Sequence, residues 1–160
     1  MLQIGCICQY NISIPNNHRF FIIMRVIETK MNKTIRRKGN FSNGNTSVQT
    51  TSFLNSKDVY CEESKVFLHG NHIATYDHVT KELALFDGGW QSNTTKSRLN
   101  ALCYEFATGF GIFQKNWEWF ISDFKNVKKE FVDNTIVNYN GCWEEHLVNL
   151  INYYFYHEQF

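Results

Sequence analysis

Thr94, Thr95, Lys96 and Arg98 fall within five consecutive residues, just ahead of an apolar run. On the first turn of a helix, two hydroxyls and two cations surround backbone N–H groups that already attract anions. The chemistry such a turn offers is the holding of a phosphate or a nucleic-acid backbone. Cations at that end oppose the helix dipole by about a few tenths of a kcal/mol each. The plainer account is that both side chains bend out to solvent or pair with an acid such as Asp87. If the turn holds an anion, Lys96→Glu with Arg98→Glu should abolish nucleic-acid retention without lowering stability. A second basic group, Lys33, Arg36, Arg37 and Lys38, belongs to residues 24–40, where Arg25 and Lys30 join it and Glu28 is the single acid. It extends the anion reading, although cations in the last turn of a helix also suit its dipole.

Other chemistry is thinner. His69 and His72 flank Gly70-Asn71, with His78 in the next loop. Imidazoles bind zinc or nickel, but a closed site wants four ligands and spacing supplies no acid or thiolate partner. They are weak metal candidates, and no cofactor is called for. Trp90, Trp117, Trp119 and Trp143 have faces on which bases stack, yet the alternation of Trp117, Trp119 and Ile121 first describes one buried strand face. No phosphate loop with its lysine, nucleophile elbow or helical zinc-histidine pair is present. Cys103 sits on an apolar stripe, where a thiol is inert. Glu144-Glu145-His146 are neighbours that splay around a helix. An enzyme is not the expected reading.

The elements that position these residues follow from periodicity. Thr94 or Thr95 caps a helix over about 95–108, with Leu99, Leu102, Cys103 and Phe106 at i, i+3, i+4 and i+7 and Gly109 closing it. Met24, Ile27, Met31 and Ile35 mark another helix near 28–38, with Gly39 at its C′ position. Asn43-Gly44 is a tight turn before a strand at 46–51, and 53–64 reads as a loop. Residues 65–69 and 72–76 form a hairpin around Gly70-Asn71, which sets His69 against His72, Leu68 against Ile73 and Phe67 against Ala74. Residues 82–86 make a third strand. Residues 112–115 and 117–121 form a second hairpin, and Asp133-Asn134 is the turn of a third. From Trp143, the spacing of Leu147, Leu150, Ile151 and Tyr154 describes a terminal amphipathic helix.

Composition bounds the rest. At 160 residues, 43% apolar and 16% aromatic, the chain is long and apolar enough for a real core. A net charge of +1 excludes a protein that binds nucleic acid by bulk charge alone. Five cysteines without a dense framework point to a reduced, cytoplasmic setting. The longest apolar run, Phe20 to Met24, is far too short to span a bilayer. Residues 1–23 hold one charged residue and the only proline, and they read as an extension, disordered or not native, ahead of a start at Met24. The expectation is an α+β fold: a small antiparallel sheet from 46–86 and 112–121, the 95–108 helix on one face, and a C-terminal helix. Residues 24–140 form the domain, against which 141–160 packs.

Leu68-His69-Gly70-Asn71-x-Ile73-Ala74, then Gly89-Trp90-x-Ser92-x-Thr94-Thr95-Lys96-x-Arg98-Leu99-Asn100-Ala101, then Phe113-Gln114-Lys115 with Trp119, resembles an uncharacterised family of small proteins common in tailed-phage genomes. The likeness spans about 24–137, with Gly44-Asn45-Thr46-x-Val48 in its early part; the tail after Gly141 has no counterpart. It implies a phage-like origin, hence an infected host cell, and no particular chemistry. Two functions follow. One is an accessory binding module that holds nucleic acid or another phosphate-bearing ligand through Thr94, Thr95, Lys96, Arg98 and the 33–38 cations. The other is a structural or interaction module that self-assembles or binds a host or phage protein.

Overall fold

The computed structural model describes residues 24–123 and 127–138. The 1–23 extension and the 141–160 helix lie outside these residues, as do Cys6, Cys8, Cys142 and Trp143. The Met24–Ile35 stripe forms helix α1, Val26–Arg36, which buries Glu28, Met31, Asn32 and Ile35. It closes with Gly39 N–H on the Thr34 carbonyl at 3.1 Å and Lys38 N–H on that of Ile35 at 2.9 Å. Lys38, with φ +54°, takes the left-handed C′ position expected of Gly39 one residue later.

Five strands then run as an antiparallel meander: β1 Phe41–Asn43, β2 Thr46–Leu54, β3 Tyr60–Leu68, β4 Asn71–Asp77 and β5 Glu82–Leu85. After helix α2, Asn93–Phe106, come β6 Gly111–Lys115, β7 Glu118–Ser122 and β8 Lys128–Glu130. These three form a separate sheet in that order. The chain then returns as β9, Thr135–Asn138, which pairs with β5 and completes a six-stranded sheet. The fold is α+β, with two antiparallel sheets where the sequence reading had one.

Alternation fixes the inner face of the larger sheet. Val48, Val66, Ala74 and Leu85 lie in one cross-strand row; Thr50, Ser64, Tyr76, Leu83 and Val137 lie in the next. Helices α1 and α2 pack beside these rows, and Leu99, Leu102, Cys103 and Phe106 enter the same core as Trp119, Ile121 and Phe131 of the second sheet. The stripe read from α2 is therefore the buried face.

Three local expectations are corrected. The β3–β4 turn is His69-Gly70, both with positive φ, as a two-residue hairpin with matching twist requires. A bulge between Val66 and Phe67 then sets Phe67 against His72 and Leu68 against Asn71, so His69 does not face His72. Residues 53–64 are mostly strand: β2 and β3 remain paired out to Leu54 and Tyr60. Phe53 and Leu54 at its tip are exposed in succession, so no apolar alternation announces it. Asp133-Asn134 does turn the chain, but β8 and β9 diverge into different sheets.

Candidate functional site

Helix α2 begins two residues earlier than expected. Ser92 is its cap, accepting the Thr95 N–H at 3.0 Å. Thr95 is buried, its hydroxyl 2.9 Å from that of Ser92 and donating to the Trp90 carbonyl at 3.1 Å. Thr94 is half-buried, Lys96 reaches the side chain of Gln114 on β6 at 3.2 Å, and the first turn carries no acid. Upstream, Gly88 has φ +67°, and a Cβ there would stand 3.0 Å from Ile73 Cγ2. Any side chain at that turn would be strained by the backbone and would press on Ile73, which favours glycine where the chain enters α2.

Arg98 does something the sequence reading did not assign. It is 3% exposed, and its Nη1 donates to Glu28 Oε1 at 2.6 Å, where Glu28 is itself 1% exposed. Arg98 Nε donates to the Thr46 hydroxyl at 3.2 Å, and Ser97 Oγ donates to the same Glu28 oxygen at 2.6 Å. The other carboxylate oxygen accepts the Arg25 backbone N–H at 2.7 Å and so caps α1. One ion pair therefore joins α1, α2 and β2, and its partner is Glu28 rather than Asp87. Asn100 adds a second clasp: it accepts the Ile112 N–H at 2.7 Å and donates to the Ile112 carbonyl at 2.9 Å, fixing β6 along α2. Most of the Thr94–Asn100 run is thus engaged in holding elements together.

The basic segment is elsewhere. Glu28 meets Arg98, Asn32 meets Ala101 and Arg36 pairs with Glu105, so α1 and α2 run side by side in the same direction. Arg36, eight residues beyond Glu28, lies about 12 Å farther along the axis. Arg36 pairs with Glu105 and Lys38 with Glu62; Lys33 and Arg37 are exposed. The structure does not bring these cations to the first turn of α2.

Two tryptophans lie there instead. Trp90 is 75% exposed and its carbonyl is held by Thr95. Trp117 is 90% exposed at the tip of the β6–β7 hairpin, which the Lys96–Gln114 bond ties to the same end of the molecule. Asn116 and Trp117 form that turn with φ +51° and +68°. A bulky side chain in the left-handed region costs on the order of 1–2 kcal/mol. Trp117 therefore does not share the buried face of Trp119 and Ile121, as the alternation had implied. Lys115, exposed one residue before the turn, completes the group.

The histidines are otherwise engaged. His69 Nε2 lies 3.3 Å from Asn45 Nδ2. His72 Nε2 lies 3.0 Å from the Ala74 carbonyl, with the ring between those of Phe67 and Phe86. Among the described residues no three His, Cys, Asp or Glu side chains form a metal-binding group. His78 Nε2 is 2.7 Å from Ser64 Oγ, the spacing of a nucleophile and its base. The protons run the other way. Thr50 donates its only hydroxyl proton to the Gly39 carbonyl at 2.8 Å, so at 2.6 Å it accepts from Ser64. Ser64 must then accept from His78, which carries its proton on Nε2. Ser64 is also 0% exposed. This is a structural relay. Burial pushes the Cys103 thiol up to about 12, which keeps it protonated and inert.

Burial lowers the pKa of His78 and of His72 from 6.5. Below 6.5 the unfolded chain takes up protons that the folded chain refuses, so stability is full above 6.5 and falls as pH drops toward the folded-state values. Urea midpoints measured between pH ~7.5 and ~5 should decline with acid, and His78→Gln should flatten part of the decline. A decline untouched by the substitution excludes His78 as its source.

Residues 24–138 match the model of the family described as Kyanoviridae Gp96 protein. No curated protein and no solved structure matches the chain.

Proposed function

The chain belongs to the Kyanoviridae Gp96 protein family, a phage family, and from that premise we propose a non-enzymatic binding module that holds single-stranded nucleic acid. Its contact surface is the end of the molecule where α2 begins. Thr94, Lys96 and Lys115 meet the phosphates, and Trp90 and Trp117 offer faces on which unpaired bases stack. Arg98 is not part of this surface, because its guanidinium is buried against Glu28. Thr95 supports the turn from inside. Lys33, Arg36, Arg37 and Lys38 belong to a different part of the surface.

The single observation behind this reading is Trp117, which stands almost wholly in water on a backbone conformation that disfavours it. A packed core gains nothing from such a placement, whereas a stacking ligand does. Few cations take part, in keeping with a chain of net charge +1. The contact should therefore depend on stacking more than on charge.

Fluorescence anisotropy with a labelled oligo(dT) strand tests it. Trp117→Ala and Trp90→Ala should each weaken binding by on the order of tenfold, since stacking contributes ~1–3 kcal/mol per base. Lys96→Gln should weaken it less and reduce the salt slope by about one. An absence of binding at low salt by the unaltered protein overturns the reading.

A further inference from the structure

Among the described residues, the tip of the β2–β3 hairpin, beyond Thr51 and Glu63, has no third strand on either side, since β4 ends at Asp77 opposite Glu63. On the β2 edge, β1 covers only Thr46 to Val48, and Asn40 Oδ1 takes the Thr50 N–H at 2.8 Å. Beyond that point no described residue pairs with the strand edge. An antiparallel ladder turns alternate residues outward. Thr46, Val48 and Thr50 face that way, so Ser52 and Leu54 direct their N–H and C=O groups to the open side. Phe53, Leu54, Val59 and Tyr60, all exposed, crowd the same tip. A two-stranded ribbon standing alone in water is marginal at best.

Natural sheets guard such an edge with lysine, proline or a bulge. β2 has none: Thr46 to Leu54 contains no charged residue and no proline, and its pairing with β3 is regular throughout. We infer that this edge pairs with the same edge of a second copy of the chain, antiparallel and about a two-fold axis. The occupant follows from charge and parity. Identical strands brought together set each residue near its own kind, which a charged edge would resist and an uncharged one permits. Only residues with outward N–H and C=O groups can exchange hydrogen bonds, and the register that engages both free residues of each copy without displacing β1 sets Ser52 of one against Leu54 of the other, and the reverse. That register places Phe53 opposite its own counterpart in a non-hydrogen-bonded pair, where side chains approach most closely. The overlap stops short of β1, so neither copy has to open its sheet. This pairing goes beyond the nucleic-acid reading and does not depend on it.

Sedimentation of the full chain over a dilution series tests it, with hydrogen exchange at Ser52 and Leu54 as a second readout. The unaltered protein should be a dimer that dissociates on dilution, with both amides protected only in the dimer. Ser52→Pro removes one outward N–H at a position where an edge strand tolerates proline, and it should give a folded monomer. Phe53→Lys sets two ammonium groups face to face and should do the same. A protein monomeric at every concentration overturns the proposal, as does a dimer that both variants leave intact. So does protection of the two amides in a monomer, which assigns the edge to another segment of the same chain.

Discussion

Replacing Arg98 with methionine should remove ~3–5 kcal/mol of stability, because it leaves the Glu28 carboxylate buried without its counter-ion. The whole fold is expected to hold only ~5–15 kcal/mol, so the denaturant midpoint should fall by a large fraction. Glu28 would keep the Arg25 N–H and the Ser97 hydroxyl, which do not neutralise it. Removing both charges, with Glu28→Met added to Arg98→Met, should recover most of the loss, since a well-packed apolar pair often matches a buried ion pair. The residual deficit should be near 1 kcal/mol, the usual worth of a lost helix cap. An Arg98→Met midpoint equal to that of the unaltered chain would place the side chain in solvent and return it to the list of anion contacts. The expectation that Arg98 can be exchanged without affecting stability is withdrawn, since its guanidinium lies inside the protein.

Leu102→Ala should cost ~2–5 kcal/mol. Leu102 is fully buried at the centre of the α2 stripe, between Leu99 and Phe106. Truncating it opens a cavity in the core that the helices share with both sheets, where collapse is opposed by the clasps that Asn100 and Arg98 make between elements. Tyr104, two residues along the same helix, is exposed; Tyr104→Ala should stay within about 0.5 kcal/mol. Equal losses at the two positions in urea unfolding would mean that the helix presents another face to the core.

Much of this was legible along the chain. Both helical stripes were, because a period of 3.6 needs no knowledge of the partner surface. The role of Arg98 was also within reach. Glu28 falls on the stripe of Met24, Met31 and Ile35, and Arg98 on that of Leu102 and Phe106. Opposite charges on two apolar stripes are the mark of an internal pair, a signal that appears only when the two helices are taken together. Partner choice between strands was not legible. Asp133-Asn134 does turn the chain, but a turn signal is local, and it does not say that Val137 will lie beside Leu83 while Lys129 lies beside Ile121. Trp117 was misassigned by one residue: moving the turn to Asn116-Trp117 takes the ring off the strand and out to the tip. The outer ribbon of β2 and β3 carries no period to read, because Thr51 to Leu54 are exposed in succession and the apolar residues of the tip do not alternate by face.

The order β5-β9 carries a last consequence, for synthesis. Leu83 and Leu85 find their neighbours Val137 and Thr135 only after α2 and the whole second sheet have been made. While the ribosome is still working on that stretch, the meander already has its first five strands, and β5 is its bare margin. Closing so long an excursion is slow and entropically unfavourable. The nascent chain therefore passes through an interval in which an apolar strand is unprotected, and during that interval it is most in need of a chaperone.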